Sequence, residues 1–82
     1  MAWGDYVVKP FTWGEASGFA SRPDVYFRTR KEANERAHFR SDGECGAIAY
    51  HLAKNAKTGV LEANVFARCG DVPGDLSPYF SG

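Results

Sequence analysis

Four side chains of this 82-residue chain are of the types that hold zinc: His38, Cys45, His51 and Cys69. A tetrahedral zinc site normally draws on closely spaced pairs such as CxxC or HxxxH, which bring two donors to one turn of backbone. The sequence contains neither pair. The simpler reading makes both cysteines small buried hydrophobes, reduced because two are too few for a secreted disulfide framework, although one bridge stays open. It leaves His38 on a helix surface and His51 on a strand. No nucleophile elbow, phosphate-binding loop or other catalytic signature is present. The chain is therefore expected to be no enzyme, to need no cofactor or metal, and to act through a binding surface.

Two surfaces compete for that role. The first lies in VYFRTRKEANERAHFRSDGE, residues 25 to 44, where Arg28, Arg30, Lys31, Arg36 and Arg40 stand among Tyr26, Phe27 and Phe39. Cations interleaved with aromatic rings can grip phosphates and stack on bases. Against this, Glu32, Glu35, Asp42 and Glu44 cancel all but one of the positive charges. Thr29 and Glu32 have the spacing of a capping box, so a helix is expected from Arg30 to about Phe39, stopped by Ser41-Asp42-Gly43. It would turn Ala33 and Ala37 to the interior and pair Glu32 with Arg36 on the outside. A solvated helix face is the first reading, and the alternative is nucleic-acid contact by the basic helix 28–40, with Arg28, Arg30, Lys31 and Arg36 on phosphates and Tyr26 or Phe27 stacked on a base.

The second surface depends on residues 45 to 69. The sequence Asn55-Ala56-Lys57-Thr58-Gly59 has the composition of a hairpin turn, and Val60 to Cys69 alternates as a strand does. A helical stripe through Cys45, Ile48, Ala49, Leu52, Ala53 and Ala56 is the rival. With the turn at its centre, the hairpin sets Lys54 opposite Val60 and Cys45 opposite Cys69. One face then carries Cys45, Ala47, Ala49, Ala53, Leu61, Ala63, Val65 and Ala67, small enough for the helix to pack on. The other carries Ile48, Tyr50, Leu52, Glu62, Phe66 and Arg68. Aromatic and arginine side chains on a rigid sheet are typical anchors of a protein interface, which makes Ile48, Tyr50, Phe66 and Arg68 candidate binding residues. The opposing expectation is that Tyr79 and Phe80 fold back over them as a second small core.

The remaining elements frame these surfaces. Asp5 to Lys9 reads as a first strand ended by Pro10, residues 11 to 23 as a bend with strand-like ends, and Asp24 to Arg28 as a second strand. Trp3, Trp13 and Phe19 read as core or loop anchors. Residues 70 to 82, with Pro73, Gly74 and Pro78, read as an irregular tail. The expected fold is α+β: one small domain with an antiparallel sheet in the order ββαββ and one helix packed on one face.

A domain this short buries only about 60 to 65% of its unfolded surface, so its core must be thin. Hydrophobic residues at 44% and aromatics at 15% nevertheless exceed what a disordered tail contains. Ten basic and ten acidic residues leave no net charge, hence no long-range field for phosphates and no acidic surface to imitate DNA. No apolar run is long enough for a bilayer, and MAWGDYVVKP lacks the features of a secretory signal, so a cytoplasmic protein is expected.

In size and element order, two strands, the capped helix TRKEANERA and the closing hairpin KNAKTGVLEANVF resemble the small ββαββ proteins of phages and mobile elements, including some anti-CRISPR proteins. The resemblance covers residues 5 to 69 as a pattern of elements. It implies an inhibitor that sterically blocks a bacterial defence complex, a CRISPR-Cas effector, without doing chemistry. Its partner would be a host protein or ribonucleoprotein, with no membrane involved.

Overall fold

In the computed structural model, which describes residues 5–14, 18–39 and 43–80, the first strand does not stop at Pro10. Strand β1 (Tyr6–Gly14) runs straight through it, turns back into β2 (Gly18–Ser21) and is followed by β3 (Val25–Phe27). Proline is normally excluded from a central strand because its missing N–H breaks the ladder. Here the Pro10 carbonyl accepts the Arg22 N–H at 2.9 Å. The Pro10 nitrogen therefore faces the same flank, where β2 has ended and β3 has not begun. The missing donor falls in a gap that has no strand to receive it.

The rest of the chain supplies α1 (Arg30–His38), β4 (Gly46–Lys54), β5 (Leu61–Gly70) and a single turn of helix, α2 (Ser77–Phe80). The sheet is antiparallel, in the order β2-β1-β4-β5, with β3 also paired to β1. This is the expected α+β fold with one main helix on one face. Its first half contains three strand segments rather than two.

Thr29 caps α1 by accepting the Glu32 N–H at 3.2 Å, while its own hydroxyl donates to the Glu32 carboxylate at 3.0 Å. Ala33 and Ala37 are fully buried. The helix ends at a Phe39 cap; Ser41, Asp42 and Arg40 lie outside the described residues, as does Trp3. No helix of the described residues is long and apolar enough to cross a membrane.

The hairpin forms and the helical rival does not. Asn55 closes its turn by exchanging backbone bonds with Val60 and Gly59, each 2.8 Å, and its side-chain oxygen accepts the Lys57 and Thr58 N–H groups. Gly59 takes the positive φ of 74° that the turn requires. The register differs from the expected one. Lys54 pairs with Leu61, a slip of one residue at the turn, and a bulge at Ala49/Tyr50 adds a second, so that Ala47, rather than Cys45, lies opposite Cys69.

That bulge redistributes the side chains. An extra residue reverses the alternation, so part of the strand shows each face the side chains expected on the other. Phe66 goes to the helix side, with Ala47, Ala49, Ala67 and Cys69. Ala63 and Val65 go to the opposite side, with Cys45, Ile48, Tyr50 and Leu52. Cys45 and Cys69 thus belong to different packing clusters, and both are free thiols.

Both faces of the sheet are core. Under α1 lie Val8, Ala47, Ala49 and Cys69; on the other face Val7, Phe11, Ile48 and Tyr50 lie under Leu76 of the tail. The tail crosses at Asp71, whose N–H bonds the Cys45 carbonyl at 2.9 Å. A Cβ on Gly46 would collide with the Asp71 carbonyl, so only glycine admits this crossing. Beyond it, Tyr79 packs edge-on against Phe11 and donates its hydroxyl to the Phe19 carbonyl, and Phe80 packs edge-on against Tyr50. The tail is irregular only up to α2.

Candidate functional site

The alternation of β1 places Lys9 on the same face as Val7 and Phe11. It is a buried charged residue, only 7% exposed, and it must find a counter-charge there. Asp24, in the connection between β2 and β3, provides it: Lys9 Nζ lies 2.8 Å from Oδ1. The second carboxylate oxygen accepts the Tyr50 hydroxyl at 2.7 Å. Burial pushes the Tyr50 phenol well above its ordinary pKa, and the bond to Asp24, its negative charge and the nearby Tyr26 add to the rise. The phenol therefore stays protonated and keeps donating. Lys9 also lies 5.7 Å from the Phe80 ring centre.

These three residues line a cleft of about 480 Å³ together with Tyr26, Leu52, Leu61, Ala63, Tyr79 and Phe80. Helix α2 covers only part of this sheet face, and the cleft opens beside it. Tyr26 is 49% exposed and Leu61 64% exposed, while Leu52 and Ala63 are half-buried. Lysine, aspartate and phenol pair with one another and form a polar floor to the cleft.

The candidate residues from sequence separate into three groups. Ile48 and Tyr50 do not form an exposed interface: both are buried, because the tail folds onto their face. Tyr50 keeps a place in the site through its wall and hydroxyl alone. Phe66 leaves that face because of the bulge and is half-buried on the helix side, where the Arg30 guanidinium sits 4.4 Å from its ring centre. Two residues assigned to rival surfaces thus touch. Arg36 is not available as a phosphate contact. It makes a two-pronged bond to Glu44, at 3.2 and 2.9 Å, and a third to the Phe39 carbonyl. The Glu44 side chain is 2% exposed and also meets Arg22 at 3.6 Å, so Arg36 ties the end of α1 to the start of β4. Arg68 is exposed and lines a shallow groove with Glu62, Val65, Leu76 and Phe80.

Of the four zinc-type residues, His38 contacts the Asn34 carbonyl and His51 stacks on Tyr6, and the cysteines lie apart as described. Among the described residues no three His, Cys, Asp or Glu side chains gather as a metal set. Trp13 is 63% exposed on β1 and packs edge-on against Phe19, its cross-strand partner on β2, so it is neither the core residue nor the loop residue expected. Lys9 and Asp24 escaped the sequence reading, although one signal was present. A lysine at an inward position of the apolar run Val7-Val8-Lys9-Pro10-Phe11 needs a partner, because lysine is almost never buried alone.

Compared with family models, curated proteins and solved structures, the chain matches none.

Proposed function

We propose that the chain is a non-catalytic binding protein whose working surface is the open end of the sheet face beside α2. One observation carries this reading: Tyr26, half exposed, and Leu61, largely exposed, line a cleft that the tail leaves uncovered. Exposed apolar side chains gathered at a structured concavity mark interaction sites, and an aromatic at the centre of such a patch is a typical anchor. Tyr26 is held by the pairing of β3 with β1, and Leu61 by the pairing of β5 with β4.

The resemblance to small phage ββαββ proteins supplies the proposed partner, a bacterial defence complex of the CRISPR-Cas effector kind, blocked sterically. The test is expression of the chain in bacteria whose CRISPR-Cas system targets a phage. Restored plaque formation is expected from the parent and not from a Tyr26→Ala/Leu61→Ala variant of equal abundance. Unrestored plaques across effector types remove the inhibitor reading. Capture of a host protein by the parent and not by the double variant tests binding separately.

A second reading, a nucleic-acid module, is favoured by the Arg30–Phe66 stack beside the Tyr6–His51 pair, with Arg28 and Lys31 exposed nearby in sequence. Bases stack on arginine planes as well as on aromatic rings. The engagement of Arg36 with Glu44 removes one cation from that face. Oligonucleotide binding that weakens steeply with salt, and is lost in Arg30→Ala, would make this the principal function.

A further inference from the structure

We propose that the cleft takes a tyrosine or tryptophan side chain of a partner protein, its ring held among Tyr26, Leu61 and Phe80 and its O–H or N–H donated to Asp24. The proposal rests on the binding reading above and specifies the chemistry of the guest.

The charge of the floor decides which guests are excluded. Lys9 and Asp24 cancel, and the Tyr50 phenol is neutral. A partner lysine, arginine or carboxylate entering here would leave water without finding a free counter-charge, a cost that burial does not repay. The Phe80 ring already has a cation beside it, the Lys9 ammonium. A neutral guest is therefore favoured.

The remaining hydrogen-bonding capacity decides which neutral guest. An ionised carboxylate offers about four lone-pair positions. Lys9 and Tyr50 take one on each Asp24 oxygen, and 21% of the Asp24 side chain remains accessible. The cleft thus presents an acceptor, and a guest with a donor at its tip gains a bond that a purely apolar guest cannot make. The walls decide the body. Tyr26, Tyr50, Tyr79 and Phe80 surround the space, and aromatic rings favour edge-to-face partners. A volume of about 480 Å³ lies within the usual range for ligand pockets and accommodates a phenol or an indole. Tyrosine and tryptophan combine such a body with such a tip.

The test is an NMR titration of the full chain with p-cresol and indole, alongside toluene, n-butylammonium and propionate. Saturable shifts at Tyr26, Leu61, Ala63 and Asp24 are expected for p-cresol and indole, with toluene bound about tenfold more weakly, the size of one hydrogen bond to a charged acceptor. Tyr26→Ala should weaken p-cresol while the signals of the α1 face stay in place. Toluene binding as tightly as p-cresol overturns the donor to Asp24. Butylammonium or propionate binding more tightly overturns the neutral guest. No shift with either phenol or indole overturns the aromatic guest altogether, while the binding reading is judged by partner capture, so the two fail separately.

Discussion

The two faces of the sheet are closed by different means. On one, α1 lies close because Ala33 and Ala37 meet Ala47 and Ala49, and this small-residue contact is fully buried. On the other, the cover is a tail that reaches the sheet through Leu76, Tyr79 and Phe80. A regular helix with small side chains can seal the surface below it along its length. A short segment with large side chains fills a few positions and leaves space between them, here containing a lysine, a carboxylate and a phenol. The difference teaches where to look for function in a domain this small. Both faces contribute to stability, but only the partly covered one leaves a cleft beside its cover.

The comparison breaks first at Phe11. It is fully buried between the Phe19 and Tyr79 rings, so it measures how firmly the tail is part of the core. Phe11→Ala should cost about 3–5 kcal/mol in denaturant unfolding. For a domain this size that is most of the stability, and much of the variant should be unfolded in buffer. A loss below about 1 kcal/mol would mean that the tail does not close this face.

Next comes the polar floor. Tyr50→Phe keeps the ring against Phe80 and removes the donor to Asp24, for which about 1.5–3 kcal/mol is expected, as for a hydrogen bond to a charged group. The same variant should change the response to alkali. The folded Tyr50 pKa is raised above that of an unfolded tyrosine, near 10. The folded state therefore holds a proton that the unfolded state gives up. The stabilisation is complete below about pH 10 and falls as pH rises further. Absorbance titration of the parent should find the Tyr50 phenol resistant until the protein unfolds, and Tyr50→Phe should abolish that resistant component.

How much of this was legible in the sequence follows from the range of the interactions. The α1 cap and the Asn55–Gly59 turn were readable because each is decided within a few residues, by Thr29 and Glu32 in one case and by Gly59 and the Asn55 side chain in the other. The bulge was not. Nothing local marks Phe66 as the extra residue, and its displacement follows from how β5 meets β4. Because alternation has period 2, a one-residue slip at the turn and a one-residue bulge at Phe66 together exchanged Phe66 with Val65 between faces and set Ala47, not Cys45, opposite Cys69. Passage of β1 through Pro10 depends likewise on a gap between β2 and β3. The cleft joins Lys9, Asp24, Tyr50 and Leu61, which lie far apart in the chain. Only the buried lysine gave a local sign.

The sealed and open faces should also respond oppositely to added volume. Ala37→Leu pushes extra carbons into a contact with no room and should cost about 1–3 kcal/mol. Ala63→Leu adds the same carbons to the half-buried cleft lining, where stability should change by no more than about 0.5 kcal/mol. The larger side chain should also displace the guest. Equal destabilisation by the two would show that both faces are packed alike.

The smallest effect on stability is expected where the effect on binding is greatest. Leu61 is largely exposed and Tyr26 half exposed, so Leu61→Ala should leave denaturation within about 0.5 kcal/mol of the parent and Tyr26→Ala within about 1 kcal/mol. Partner affinity should fall by about 2 kcal/mol or more for Tyr26→Ala, roughly thirtyfold, because truncating a central aromatic anchor leaves its pocket on the other side unfilled. Arg68→Ala is the control on the same sheet face: it is exposed in the neighbouring groove and outside the cleft. Loss of binding in Arg68→Ala with none in Tyr26→Ala would move the working surface to the groove along β5. Loss in Arg30→Ala alone would move it to the other side of the sheet, where Arg30 stacks on Phe66. Unchanged unfolding curves make each result a statement about the surface itself.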